Sequence, residues 1–135
     1  MTLYELEQED FELIEAARAQ LKQCYWADHH TVGCAIRCRD GRIFTGVNVD
    51  GIHGSCAEFV AMGRAKAEGA ADFQTIVAVH EDAPNKLYAP CGNCRQMLVE
   101  YAPGIRVILN DDSLRPVKAA IEDLLPFAWK TAEKD

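Results

Sequence analysis

Apolar and polar positions along the chain follow two periods, one typical of helices and one of strands. Over residues 10–24, the apolar residues Ile14, Ala17 and Leu21 recur at the spacing of one helix face. Residues 31–38 (TVGCAIRC) instead form a compact apolar run that is rich in small and β-branched side chains. The pattern therefore predicts a helix followed by a strand.

Three more segments have the composition of strands. Residues 42–48 (RIFTGVN) follow the first strand after Asp40-Gly41, a dipeptide that is typical of hairpin turns. Residues 75–80 (TIVAVH) and 105–109 are short apolar runs with turn residues nearby. We expect the first two strands to pair as a hairpin and the other two to join the same sheet.

Three further helices are predicted from residues that cap or stop helices. They are residues 56–68, with Ser55 as the cap and Gly69 at the end, 91–101, stopped by Pro103-Gly104, and 115–125, ended by Pro126. The order is then α-β-β-α-β-α-β-α. Helices interleaved with strands indicate an α/β fold, a three-layer α/β/α sandwich with a mixed sheet. A length of 135 residues fits a single domain over residues 1–135.

The net charge of the chain limits the classes of partner that we expect. The net charge is −7 and no basic stripe is present, so we do not expect a nucleic-acid polymer as partner. A small neutral or cationic substrate fits better. The acidic start is unlike a signal peptide, and no apolar stretch approaches the roughly 20 residues of a membrane span. We therefore expect a cytoplasmic protein without membrane contact, in which the six cysteines serve as metal ligands, catalytic groups or core residues.

Two short motifs carry the candidate chemistry. Cys56-Ala57-Glu58 and Pro90-Cys91-Gly92-Asn93-Cys94 begin the second and third predicted helices. Their three cysteines would give zinc three thiolate ligands and leave the fourth position to water, as in catalytic zinc sites. A C-x-E motif followed by P-C-x-x-C is the arrangement of zinc-dependent base deaminases. Zn²⁺ would activate a water molecule, and Glu58, which is not a ligand, would act as the general acid and base.

Plainer interpretations remain open for these residues. The cysteines could be buried structural thiols, or Cys34 or Cys38 could complete a four-cysteine structural zinc site, which would leave Glu58 unexplained. Core packing is the simpler role for Cys34 and Cys38, and Cys24 is expected to be a buried helix thiol. His53 lies three residues before Cys56, but a loop histidine is more often not a ligand.

At these motifs the chain resembles the cytidine deaminase family, and within it the blasticidin S deaminase-like branch. The resemblance extends over nearly the whole chain. Its motifs are Val32-Gly33-Cys34-Ala35, residues 40–49 (DGRIFTGVNV), the two cysteine motifs through Gln96, and Leu124-Leu125-Pro126. It implies a five-stranded sheet, a homotetramer, and hydrolytic deamination of a cytosine nucleoside or an analogue. A blasticidin S deaminase with the same chemistry and a non-catalytic zinc-stabilised module are the alternatives.

The resemblance also implies substrate contacts. Asn48 and Asp50 stand where the nucleoside enzymes read sugar hydroxyls with N-x-E, although both residues could simply close a loop. Ala57 is a further expected contact. Trp129 matches a C-terminal aromatic that covers the pocket, with packing at a subunit interface as its alternative.

The chain departs from the family at several positions. Phe59 replaces the usual Arg after Glu58, so Arg95 becomes the cation expected to offset the thiolate charge. His30 stands at a position that is usually aromatic, and Asn93 replaces a basic residue associated with blasticidin recognition. These differences leave the zinc chemistry better supported than any particular substrate.

Overall fold

The computed structural model describes residues 1–81 and 86–130; the predicted domain of residues 1–135 also includes 82–85 and 131–135, which lie outside them. Ten helices and strands are present in this part of the chain. They are β1 (Leu3–Tyr4), α1 (Gln8–Cys24), β2 (Val32–Cys38), β3 (Ile43–Val47), α2 (Ala57–Ala67), β4 (Phe73–His80), α3 (Gly92–Tyr101), β5 (Arg106–Asn110), β6 (Pro116–Ala120) and α4 (Ile121–Leu124).

The strands form one mixed sheet in the order β1-β6-β5-β4-β2-β3. Only β4 and β5 run parallel among these pairs, joined through α3, and the other neighbours are antiparallel. Helix α1 packs Leu13 and Ala17 against Ala35 and Val77 on one face, while α2 and α3 cover Cys34 and neighbouring residues on the other. The predicted three-layer α/β/α sandwich is therefore confirmed, although the sheet has six strands rather than five.

The predicted last helix, residues 115–125, is wrong over its first half, where β6 pairs with β5 and with β1. Val117 and Ala119 alternate with Lys118, which looks like a solvent-facing residue in the sequence. In the structure Lys118 is buried as well, because its Nζ lies 2.7 Å from Oδ2 of Asp10. The turn before β6 is closed by Asp111, whose Oδ1 accepts hydrogen bonds from two following N–H groups.

Asp10 joins the start of α1 to the sheet. Its fully buried carboxylate contacts Lys118 on β6 and the NH2 group of Arg37 on β2, the latter at 2.8 Å. Burial acts to raise the pKa of Asp10, but hydrogen bonds from the Glu7 N–H, Lys118 and Arg37 outweigh it and hold the pKa below its usual range. The carboxylate is therefore charged at neutral pH and links three elements.

Helix α2 lies unusually close to β3, and Gly46 permits this approach. A Cβ atom on Gly46 would lie 2.7 Å from the backbone N of Ala61 and 3.1 Å from the carbonyl O of Ala57. Both atoms belong to the helix backbone and cannot rotate away. The position of α2, which carries Cys56 and Glu58 at its start, therefore depends on the absence of a side chain at residue 46.

We expect Gly46→Ala to destabilise the fold by about 1–3 kcal/mol, since the added methyl group overpacks a tight contact. Gly63→Ala is the matched control, because a Cβ there would meet nothing within 4 Å. In a helix interior, alanine in place of glycine should instead stabilise by about 0.5–1 kcal/mol. Urea unfolding of both variants measures the two changes. A Gly46→Ala protein as stable as the parent would contradict the close packing of α2 on β3.

Candidate metal centre and active site

Three cysteine side chains meet where two helices begin. Cys56 is the N-cap of α2, Cys91 is the N-cap of α3, and Cys94 lies in the first turn of α3. Their sulfur atoms all lie within 4.8 Å of one another, and Sγ of Cys56 is 3.7 Å from Sγ of Cys91. Tetrahedral ligands about 2.3 Å from a zinc ion are about 3.8 Å apart, so this spacing fits zinc. The helix bounds also show that Cys56, rather than the predicted Ser55, occupies the cap position.

The other candidate ligands lie elsewhere. Cys34 and Cys38 are buried in the hydrophobic core with Ile36, as expected for packing residues. Neither they nor His53 join the three-cysteine group, and no second group of three potential ligands occurs within residues 1–81 and 86–130. Cys24 is half-buried rather than fully buried, and its Sγ accepts a hydrogen bond from Nε2 of Gln20. The geometry thus favours three thiols over a four-cysteine site.

The helix starts act unequally on the three thiols. Burial acts to raise the pKa of Cys91, but N–H groups of Cys94 and Asn93 and the two neighbouring thiols outweigh it, so this pKa lies below its ordinary value. Burial raises the pKa of Cys56 and, together with the charge of Glu58, that of Cys94. A bound zinc ion deprotonates coordinating thiols outright. The three thiols therefore differ in pKa before any metal is bound.

Glu58 is the buried carboxyl group beside the cysteines. It lies in the first turn of α2, is 6% exposed, and lines a cavity of about 380 Å³ together with Cys56 and Cys91. Burial raises the pKa of Glu58, since desolvation disfavours its charged form. A pKa raised above the ordinary carboxyl range makes proton uptake easier, which suits a general acid and base.

The same cavity is lined by Ala57, Asn48 and Asp50, so the structure brings these predicted contacts to the metal site. Asn48 also closes a loop: its Oδ1 accepts hydrogen bonds from the N–H groups of Thr31 and Val32. Its Nδ2 donates to the carbonyl O of His29. Asp50 is exposed at the rim. Asn48 thus makes loop-closing hydrogen bonds, and its substrate contact, which would use the second hydrogen of Nδ2, stays a prediction.

The motifs did not predict where the side chains of Arg95 and Trp129 lie in the structure. Arg95 is half-buried, and its guanidinium donates to the carbonyl O atoms of Pro90 and Leu124, at 2.8 and 3.0 Å. It therefore holds the residue directly before Cys91. Trp129 is 61% exposed and is not among the residues lining the cavity; its predicted role in covering the pocket and the alternative of packing at a subunit interface both stay predictions.

Tyr88 lines the cavity and His30 contacts the backbone of Asn48, although the sequence pattern assigned neither a role. Tyr88 lines the cavity two residues before Pro90, and its ring stacks on His80 with centroids 4.9 Å apart. Its closeness to the P-C-x-x-C motif is the signal that points to it. His30 donates from Nδ1 to the carbonyl O of Asn48 at 2.7 Å, which fixes the proton on that nitrogen because a carbonyl only accepts.

Known proteins share this arrangement. A family model described as the cytidine and deoxycytidylate deaminase zinc-binding region matches residues 7–109. The chain belongs to this deaminase family. It is 35% identical over 138 residues to a blasticidin-S deaminase from Bacillus cereus. The matched region covers 96% of this chain and 98% of that protein. The solved cytidine deaminase from Burkholderia pseudomallei is similar with a TM-score of 0.75 and 33% identity, over 92% of this chain and all of that one.

The family and the geometry together confirm the predicted enzyme class and cofactor. The protein is a zinc-dependent hydrolytic deaminase, and its three clustered cysteines can hold one metal ion. A probable cytidine deaminase from Dictyostelium discoideum, 35% identical over 90% of this chain and 84% of that protein, is a further relative. The non-catalytic zinc module is thereby set aside. Zinc binding by Cys56, Cys91 and Cys94 and proton transfer by Glu58 are proposals for the individual residues.

Arg95→Ala should make the deaminase lose zinc to a chelator roughly 10–100-fold more readily, the usual cost of removing a partner that orients metal ligands. Arg95 holds the carbonyl before Cys91 and is the cation expected to offset the thiolates. Arg64→Ala is the control, because exposed Arg64 makes only long contacts, at 3.4–3.5 Å, to Thr45. Zinc release is followed with a chromogenic chelator. Equal release from both variants would contradict a role for Arg95 at the metal.

Proposed function

We propose that this deaminase acts on free cytosine nucleosides, cytidine and deoxycytidine or their analogues, and releases uracil nucleosides and ammonia. One observation carries the proposal: a single cavity of about 380 Å³ is lined by two of the clustered thiols, by Glu58, and by Asn48 and Asp50. A volume of a few hundred Å³ is typical of sites for small molecules. The cavity therefore combines the deamination chemistry with polar groups for a sugar.

Glu58 carries the protons in the proposed reaction. When bound to Cys56, Cys91 and Cys94, zinc supplies a water molecule whose pKa is lowered toward neutrality. The Glu58 carboxylate takes one proton from this water as oxygen adds to C4 of the base, and delivers that proton to ring N3. Glu58 then passes the remaining hydroxyl proton to the amino group. The C4–N bond breaks, ammonia leaves, and a C4 carbonyl remains.

Asn48 and Asp50 are proposed to recognise the sugar. The Val49 and Ser55 backbones pair in both directions at 2.8–2.9 Å, which closes the short loop that carries Asp50. This loop places the carboxylate of Asp50 at the rim of the cavity, where it is half-exposed. A site built to hydrogen-bond hydroxyl groups discriminates against ligands that lack them, because its own polar groups are then left unpaired.

Blasticidin S is a second candidate substrate. The blasticidin-S deaminase from Bacillus cereus matches this chain over nearly the full length of both proteins. Blasticidin S is a larger, cationic cytosine nucleoside analogue; the short Asp50 side chain leaves more room than glutamate would, and its charge suits a cation. The net charge of −7 likewise favours a cationic substrate. The chemistry at Glu58 would be the same for either substrate.

The proposed setting is the cytoplasm, with a small nucleoside as partner and a homotetramer as the assembly. All six cysteines are free, as reducing conditions would keep them. Within the described residues, no helix has the length and apolar character to cross a membrane. Phe127 and Trp129 are largely exposed, and burial of these rings between subunits would support the assembly that the family resemblance implies.

The substrate proposal is tested by kcat/KM for cytidine, deoxycytidine, cytosine and blasticidin S. We expect both nucleosides to be preferred over free cytosine and to lie within roughly tenfold of each other, a difference of about 1.4 kcal/mol. Blasticidin S should be accepted to some degree. Asp50→Ala should reduce the preference for nucleosides over cytosine, since one hydroxyl partner is lost.

Asp112→Ala is the control, because Asp112 is exposed in the turn before β6 and is not among the cavity residues. It should leave all four values unchanged. Free cytosine as good as cytidine, or an Asp50→Ala enzyme with unaltered ratios, would contradict the proposed sugar contacts.

A further inference from the structure

Asp50 is paired at the cavity rim with a residue outside the cavity. Its Oδ2 lies 3.3 Å from Nδ1 of His29, while its side chain remains 53% exposed. His29 itself is not among the residues lining the cavity. The Asp50 carboxylate thus lies within ion-pair distance of the His29 imidazole.

His29 is fixed by two further contacts. Its ring stacks on Trp26 with centroids 3.9 Å apart and an angle of 24° between the planes. Its backbone carbonyl accepts the hydrogen bond from Nδ2 of Asn48 at 2.8 Å. The loop before β2 therefore contacts the segment of residues 48–50 through both the backbone and a stacked imidazole.

We propose that His29 is a positioning residue for substrate selection, which holds the Asp50 carboxylate in the orientation that accepts a sugar hydroxyl. This inference rests on the proposed sugar contact of Asp50. A free aspartate at an exposed rim samples several rotamers, and the substrate must then immobilise it on binding. The His29 imidazole, with Nδ1 3.3 Å from Oδ2 of Asp50, restricts this motion before substrate arrives, and stacking on Trp26 restricts the imidazole.

Such a role affects binding of the sugar and leaves the chemistry at Glu58 alone. The test compares cytidine with 2′,3′-dideoxycytidine, which has the same base without the 2′ and 3′ hydroxyl groups. His29→Phe keeps a ring that can stack on Trp26 but removes the polar nitrogen 3.3 Å from Asp50. His29→Asn restores a polar nitrogen, since the asparagine Nδ2 occupies much the same position as Nδ1 of histidine.

For cytidine, His29→Phe should raise KM about three- to tenfold, the usual effect of freeing one side chain, with kcat within about twofold. For 2′,3′-dideoxycytidine neither value should change. His29→Asn should return the KM for cytidine to within about twofold of the parent. In an Asp50→Ala background, His29→Phe should have no further effect, because the residue through which it acts is gone.

His53→Phe is the control, because His53 is exposed on the same loop as Asp50, and it should leave both substrates unaffected. The outcomes distinguish the proposed sugar contact of Asp50 from the proposed positioning role of His29. If Asp50→Ala itself leaves the preference for cytidine over 2′,3′-dideoxycytidine unchanged, the sugar contact is wrong and the role of His29 falls with it. If Asp50→Ala changes that preference but His29→Phe does not, or if His29→Asn fails to restore it, only the positioning role is wrong.

Discussion

The convergence of two helix N-termini on three thiols is the constraint on which the site depends. Thiolates brought within 4.8 Å of one another repel, and a metal ion must offset that charge. The first N–H groups of a helix have no partners within the helix and carry partial positive charge. Cys56 and Cys91 occupy the two cap positions, so both sulfur atoms lie beside a helix start, and the pKa is lowered at Cys91 but not at Cys56.

The topology of the sheet and the packing of its helices bring the two helix N-termini together. The parallel pair β4 and β5 requires a crossover, and α3 provides it, so its N-terminus lies at the end of the sheet where β4 ends. Helix α2 reaches the same end because Gly46 allows its backbone to approach β3 closely. Glu58, at the start of α2, faces β4 and the segment around Tyr88 and Pro90, and this burial raises its pKa.

The loss of the usual arginine after Glu58 changes how the thiolate charge is balanced. Phe59 stands there and packs against the hydrophobic core instead. Arg95 makes its described hydrogen bonds to the carbonyl groups of Pro90 and Leu124 rather than to sulfur. These bonds hold the residue before Cys91, and the charge compensation by Arg95 stays a prediction. The N–H groups of Cys94 and Asn93 instead help to lower the pKa of Cys91.

The parts of this structure that the sequence predicted are those encoded by neighbouring residues. The cysteine motifs predicted the metal site because ligands and helix starts are local features, and the hairpin of β2 and β3 followed from Asp40-Gly41. Strand β6 was mistaken for a helix because its burial depends on an ion pair between Lys118 and Asp10, which are distant in sequence. The loop-closing bonds of Asn48 and the pairing of His29 with Asp50 likewise depend on tertiary contacts.

The central claim is that three cysteines hold zinc while Glu58 moves protons without binding the metal. Glu58→Gln tests it most directly, with Glu68→Gln, an exposed residue at the end of the same helix, as the control. Zinc content, sulfur coordination by X-ray absorption and the deamination rate are measured on both variants. The account predicts about one zinc per chain with three sulfur ligands near 2.3 Å in each, and a rate at least about a hundredfold lower only in Glu58→Gln. Retained deamination in Glu58→Gln, loss of its zinc, or four sulfur ligands would contradict the account.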